Sequence, residues 1–233
     1  MTQVYQLKKD PYSSHSQIAQ SLIEIAQHQE EKMVCTVLDV GCSQGFIGSL
    51  LSVDHFSFIG IDNHPAALEK LPPIYAVRIE ADIESPDTFE RLGSSPDVLV
   101  FGDVLEHTRN PEDILKKAIA ILKPGGFVII SVPNVANLVI RLNILLGRFD
   151  YTEQGILDRT HLRFFTMKSV TQLCIRGGMD IKEVKVTPVP LPVLHPWFSM
   201  NGPLYFLYVL IAWITRIMKN LLAYQIICVG KKI

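Results

Sequence analysis

No aspartate or glutamate follows Glu183 in this chain of 233 residues, and no charge of either sign lies between Lys185 and Arg216. The last fifty residues carry +5, from Lys185, Arg216, Lys219, Lys231 and Lys232, while the first 183 carry −6. An asymmetry of this kind marks a membrane or partner surface as an expectation. Long hydrophobic runs are missing too. The longest, Leu204 to Ile214, has eleven residues, whereas a membrane span needs about 20. Upstream of it, Pro188, Pro190, Pro192, Pro196 and Pro203 interrupt any helix. The N-terminal segment lacks the apolar core of a signal peptide. The four cysteines (Cys35, Cys42, Cys174, Cys228) show no paired spacing, which disfavours a disulfide framework or a zinc site and suits reduced thiols in a cytoplasmic protein. An excess of basic charge is also lacking: 22 basic residues face 23 acidic ones, so nucleic acid is not an expected partner.

What is present is apolar residue in quantity, 48% of the chain with a mean hydropathy of +0.24, enough for one folded domain spanning residues 1–233. Apolar positions at helical spacing predict a helix over Ser14–Gln29. Short Val/Ile/Leu-rich runs then predict strands at Val34–Val40, Phe56–Ile61, Ala76–Glu80, Val98–Phe101 and Phe127–Val132. Helices are expected in the gaps, the clearest at Pro111–Leu122, with Asn110 as its cap. Continuous apolar strands alternating with helices imply a parallel sheet covered on both faces. A helix at Met167–Arg176, capped by Thr166, and strands at Ile181–Thr187 and Tyr224–Val229 complete the pattern. Residues 133–165 and 188–223 stand as insertions between these elements.

The first strand ends in Leu38-Asp39-Val40-Gly41-Cys42-Ser43-Gln44-Gly45, a glycine-rich turn expected to open a helix. Three chemistries compete for it. A dinucleotide site needs G-x-G-x-x-G, and Cys42 stands where the second glycine belongs. A hydrolase nucleophile elbow, G-x-S-x-G, matches in letters but lies on the first strand and lacks an upstream oxyanion segment. The third reading rests on a wider resemblance, carried by the acids that follow. Asp39, Asp62, Asp82 and Asp103 follow one another at intervals of 23, 20 and 21 residues, each at or near a strand end. A strand plus its return connection takes about that length, so these ends can converge on one crevice at the carboxyl edge of a sheet.

The same residues resemble class I S-adenosylmethionine-dependent methyltransferases. LDVGCSQG resembles the family's first motif, Ile59-Gly60-Ile61-Asp62 its second, Glu80-Ala81-Asp82-Ile83 its third and Asp97 to His107 its fourth. Leu122 to Ile130 resembles the turn into its fifth strand. The resemblance implies a Rossmann-like, doubly wound seven-stranded α/β sheet, mostly parallel with an antiparallel last strand. It implies S-adenosylmethionine as cofactor, held by Gly41, Ser43, Gly45, Asp62, Asn63, Asp82, Ile83, Gly102 and Asp103. A sulfonium among carboxylates is favourable, more so in a desolvated cleft. The fourth motif lacks the [DN]-P-P-[YFW] signature of methylases acting on exocyclic amines, which tilts the expected acceptor towards oxygen.

His107 and His161 are the candidate bases. Asp103, Glu106 and His107 fall at i, i+3 and i+4, and with His161 they form a candidate divalent-metal set similar to that of small-RNA 2′-O-methyltransferases and ubiquinone-biosynthesis O-methyltransferases. The alternative is that Glu106-His107 packs beside the cofactor, as in metal-free relatives. Tyr12 and His15 are candidates to cover the cofactor's methionine end, or belong to an exposed segment. Asp158–Thr166 resembles methyltransferases encoded with bacterial polysaccharide systems, which suggests a small-molecule or glycan-linked acceptor. The apolar segment, with Trp197, Phe198, Tyr205, Phe206, Tyr208 and Trp213, has three expected roles: acceptor lid, core, or peripheral membrane contact through residues 188–220. A competing functional class is a non-catalytic module that docks to a membrane or partner through this segment.

Overall fold

The computed structural model describes residues 10–27, 34–90 and 92–233. Seven strands form one sheet: β1 (Cys35–Val40), β2 (Phe56–Asp62), β3 (Tyr75–Glu80), β4 (Val98–Gly102), β5 (Phe127–Pro133), β6 (Met179–Thr187) and β7 (Gln225–Lys232), in the order β3-β2-β1-β4-β5-β7-β6. The first five run parallel, while β7 lies between β5 and β6 and runs against both. Reversal of order at β1 and β4 opens a crevice at their carboxyl ends, the place where such sheets bind ligands. Gln225 pairs with both Pro133 and Thr187. The segments that follow β5 and β6 therefore leave the sheet on the crevice edge.

Eight helices accompany the sheet among the described residues: α1 (Ser14–Gln27), α2 (Pro65–Leu68), α3 (Pro111–Ala120), α4 (Leu138–Leu145), α5 (Met167–Arg176), α6 (Leu191–Leu194), α7 (Tyr205–Ile217) and α8 (Lys219–Leu222). The apolar stripes of α3 and α5 cover one face, where Leu115, Ala118, Val170 and Leu173 meet Leu99, Phe101, Val128 and Ile130. On the other face Ile18, Leu22 and Ile25 of α1 pack with Val37, Val98, Val100 and Ile129. Asn110 caps α3 by accepting the Asp113 N–H, and Thr166 caps α5 in a reciprocal capping box with Ser169.

Two expectations need correction. The glycine-rich turn after β1 does not open an α-helix: residues 41–47 form turns that lead only into a short 3₁₀ segment, Gly48–Leu50. Gly45 and Gly48 are already pressed against Tyr75, so β3 and the turn before it occupy the space beside this loop. Helices do not fill every gap either, because β2 and β3 are joined through the four-residue α2, and turns alone occur between β3 and β4 among the described residues. The expected first helix is present over Ser14–Gln27, and its last two expected positions lie outside the described residues.

Candidate functional site

The carboxyl ends of β1 and β2 are joined by a tight backbone arrangement. Gly41 and Gly45 take φ values of +69° and +74°, and Ser43 between them takes +47°. Glycine adopts this region without the Cβ penalty other residues incur. The loop is pinned by Asp62: Ser43 N–H donates to its Oδ2 (2.8 Å) and His64 N–H to its Oδ1 (2.9 Å). His15 stacks on Phe46 of the same loop, ring centroids 5.6 Å apart, so the start of α1 lies beside it. Tyr12 sits edge-on to Tyr208.

Asp39 has a different role from the other three aspartates. It is buried and accepts the Tyr75 hydroxyl at 2.6 Å. Burial pushes its carboxyl up to about 7, the Tyr75 bond acting against that rise and the Asp62 charge adding to it. Asp82 is exposed, its Oδ1 accepting the Glu84 N–H, and the adjacent Ile83 packs at the margin of the core. Asp103, at φ +57°, accepts hydrogen bonds from Ser131 Oγ (2.7 Å) and from Gln225 Nε2.

Beyond β4 the chain turns through a short 3₁₀ segment, Leu105–His107. The Glu106 carbonyl accepts the N–H groups of Leu162 and Arg163 at 2.8 and 2.9 Å. These bonds draw the segment after β5 onto the strand-4 turn and place His161 edge-on to His107, with ring centroids 4.8 Å apart. His161 donates from Nδ1 to the Ile156 carbonyl (3.0 Å), because a carbonyl can only accept. Its Nε2 consequently carries the lone pair. His107 Nδ1 lies 3.2 Å from the Thr160 carbonyl and 3.2 Å from Thr160 Oγ1. That hydroxyl already donates to Asp158 (2.7 Å), so His107 Nδ1 donates to the carbonyl and its Nε2 is also a lone-pair nitrogen.

Glu106 completes the group. Its side chain is 1% exposed, and neither carboxylate oxygen has a hydrogen-bond partner among the described residues. Burial, and secondarily the Asp103 charge, holds this carboxyl well above its ordinary value. Burial, and then the neighbouring His107, lowers the imidazolium pKa of His161. One ligand atom each from Glu106, His107 and His161 falls within 4.8 Å of the others. Asp103, expected as a fourth member, is not in this cluster, since Ser131 and Gln225 engage its two oxygens. On the far side of His161, Phe164 lies at 6.3 Å and is itself flanked by Phe149 and Tyr151.

Sequence reasoning missed Tyr75 and Gln225, the partners of Asp39 and Asp103. Neither carries a local signal, since one begins a strand and the other follows the acid-free segment. It also missed the aromatic group of Phe149, Tyr151 and Phe164, which lies scattered through the insertion.

The sheet order with its antiparallel β7 is that of the class I methyltransferase fold. The pattern described as "Methyltransferase domain" matches residues 12–184, and the chain belongs to that family. It is similar to the ubiquinone biosynthesis O-methyltransferases of Rickettsia canadensis (27% identical, 70% of this chain and 70% of the relative) and Cupriavidus pinatubonensis (28%, 68% and 66%). In fold it resembles a SAM-dependent methyltransferase from Archaeoglobus fulgidus (TM-score 0.59, 16% identity, 94% and 95% of the two chains). It likewise resembles the magnesium protoporphyrin IX methyltransferase of Synechocystis PCC 6803, solved with bound SAH (TM-score 0.62, 14% identity, 100% and 90%).

The protein is therefore an S-adenosylmethionine-dependent methyltransferase. The donor set fits that cofactor. Each oxygen of Asp62 takes one backbone N–H and retains a lone pair that could accept a ribose hydroxyl, and carboxylates would favour a sulfonium.

Proposed function

We propose that this methyltransferase acts on a hydroxyl oxygen of its small acceptor and that His161 takes the hydroxyl proton. The observation that carries this reading is the anchored Nδ1 of His161, which leaves Nε2 as a lone-pair nitrogen beside the aromatic group. The lowered pKa keeps the ring neutral near pH 7, the form a base requires. Bound S-adenosylmethionine supplies an electrophilic methyl carbon on a sulfonium. The protein's task is alignment: Gly41, Ser43, Gly45 and Asp62 hold the nucleoside side, with Asn63, Asp82, Ile83, Gly102 and Asp103 around it. His161 Nε2 receives the proton as the acceptor oxygen gains the methyl group. The curated relatives' O-methyltransferase names support an oxygen acceptor.

Phe149, Tyr151 and Phe164 suit an acceptor that presents a flat apolar face, such as an aromatic ring or the face of a sugar. Residues 133–165 and 188–223 then act as acceptor-side segments of one domain. The four free, buried cysteines suit a reducing, cytoplasmic compartment.

A second reading is favoured by Glu106, whose buried oxygens want a partner. A divalent cation held by Glu106, His107 and His161 would lower the pKa of the acceptor hydroxyl. His161 would then be a ligand instead of a base. Turnover after exhaustive chelation separates the two: unchanged rates favour the base, and a loss restored by added metal favours the cation. A screen of phenolic, alcoholic and glycan-linked acceptors with tritiated methyl donor tests the oxygen assignment. Transfer confined to amines or carbon would overturn it.

A further inference from the structure

Helix α7 meets the rest of the molecule along a narrow stripe. Tyr208, Ala212 and Thr215 are buried, and the Tyr208 hydroxyl bonds Asp10. The opposite side should be polar in an ordinary surface helix, and here it is not. Phe206 is 69% exposed, Trp213 59% and Ile217 63%, with Leu210 exposed between them. Spacings of four, three and four residues place these side chains on one helix face. Ahead of α7, Val193, Leu194, Trp197 and Met200 are exposed as well. Trp197 and Trp213 are the chain's two tryptophans, and both lie more than half in solvent.

Charge indicates what covers this face. The segment contains no acid, and Arg216 and Lys219 lie exposed at the end of α7. A second copy packed through the same segment would offer these cations no acid in return. An anionic surface has the complementary sign. No helix of the described residues is long and apolar enough to cross a membrane. Tryptophans beside a basic, apolar-faced helix are the composition of an element lying in the bilayer interface.

We propose that the outward face of α7, with the exposed turn before it, docks on an anionic lipid bilayer surface. Because this segment joins β6 to β7 at the crevice edge, docking would hold the acceptor entrance near the lipid. The proposal rests on exposure and charge and stands apart from the identity of the methyl acceptor. The segment also lies beyond residues 12–184, the part that matches the family pattern.

Both tryptophans lie in the patch, so intrinsic fluorescence reports contact directly. The full chain is mixed with phosphatidylcholine vesicles containing or lacking phosphatidylglycerol, and emission and flotation are followed. Expected results are a blue shift and co-flotation with the anionic vesicles, both reduced by salt. The double variant Phe206→Ser/Leu210→Ser alters exposed positions and keeps both tryptophans. It should float roughly tenfold less or worse, with S-adenosylmethionine affinity and melting temperature unchanged as evidence of folding. Wild type that stays unbound, equal binding to neutral vesicles, or equal flotation of the folded double variant overturns the proposal. So does a wild-type dimer that binds no vesicles and that the substitutions convert to monomer.

Discussion

His161 and Glu106 are neighbours with opposite needs. One is anchored at a single nitrogen, and the other is buried with both oxygens unpartnered among the described residues. His161→Gln retains an acceptor oxygen but removes the base. It is expected to lower kcat by about 100-fold or more while leaving S-adenosylmethionine affinity intact by calorimetry. In wild type the acid limb of kcat/KM should lie below about 6.5, the ordinary imidazole value, because burial and His107 favour the neutral ring. In the variant that limb should disappear. The cofactor loop makes a steric prediction. A Cβ on Gly45 would approach Tyr75, Pro72 and Leu71 at 2.6, 2.7 and 2.8 Å, at φ +74°. Gly45→Ala should cost roughly 2–4 kcal/mol in urea denaturation. Gly93→Ala, with nothing within 4 Å of the added Cβ, should cost far less.

The regular elements were legible where one local rule governed them. Asn110-Pro111 announced α3, Thr166 announced α5, and apolar runs announced the strands to within a residue or two at most ends. Thr166→Ala removes one side of the capping box and should cost about 1 kcal/mol, seen as a lower urea midpoint with unchanged cofactor affinity. The missing helix after β1 was not legible, because Tyr75 crowds that loop from a strand more than twenty residues away. The convergence of His161 on Glu106 and His107 was legible as a list of residue types. Its geometry was not, since it depends on two backbone bonds to the Glu106 carbonyl. Asp103 shows the converse. Its spacing suggested a ligand, yet Ser131 and Gln225, 28 and 122 residues away, engage its oxygens. In α7 the apolar composition was plain, but the sequence did not reveal that the broad apolar side faces outward.

The charge asymmetry along the chain divides the whole molecule between an acid-bearing part, residues 1–183, and an acid-free flank. Stability should follow the crevice. Asp39 titrates near 7 when folded and near 3.9 when unfolded, so the folded state retains a proton across that interval. Stability is then fully present below about pH 4 with respect to this group. It falls by up to about 1.4 kcal/mol per unit as pH rises through the window. Melting temperature should drop between pH 5 and pH 7.5 on that account, and Asp39→Asn, which still accepts the Tyr75 hydroxyl, should flatten the drop.

The carboxyl-edge crevice is proposed to hold S-adenosylmethionine through the Asp62-pinned loop. Isothermal titration of wild type and Asp62→Asn with S-adenosylmethionine and S-adenosylhomocysteine tests it most directly. One site per chain is expected, with affinity reduced roughly 10–100-fold by the substitution. Absence of binding at millimolar ligand, or an unchanged affinity in a folded Asp62→Asn variant, would contradict it.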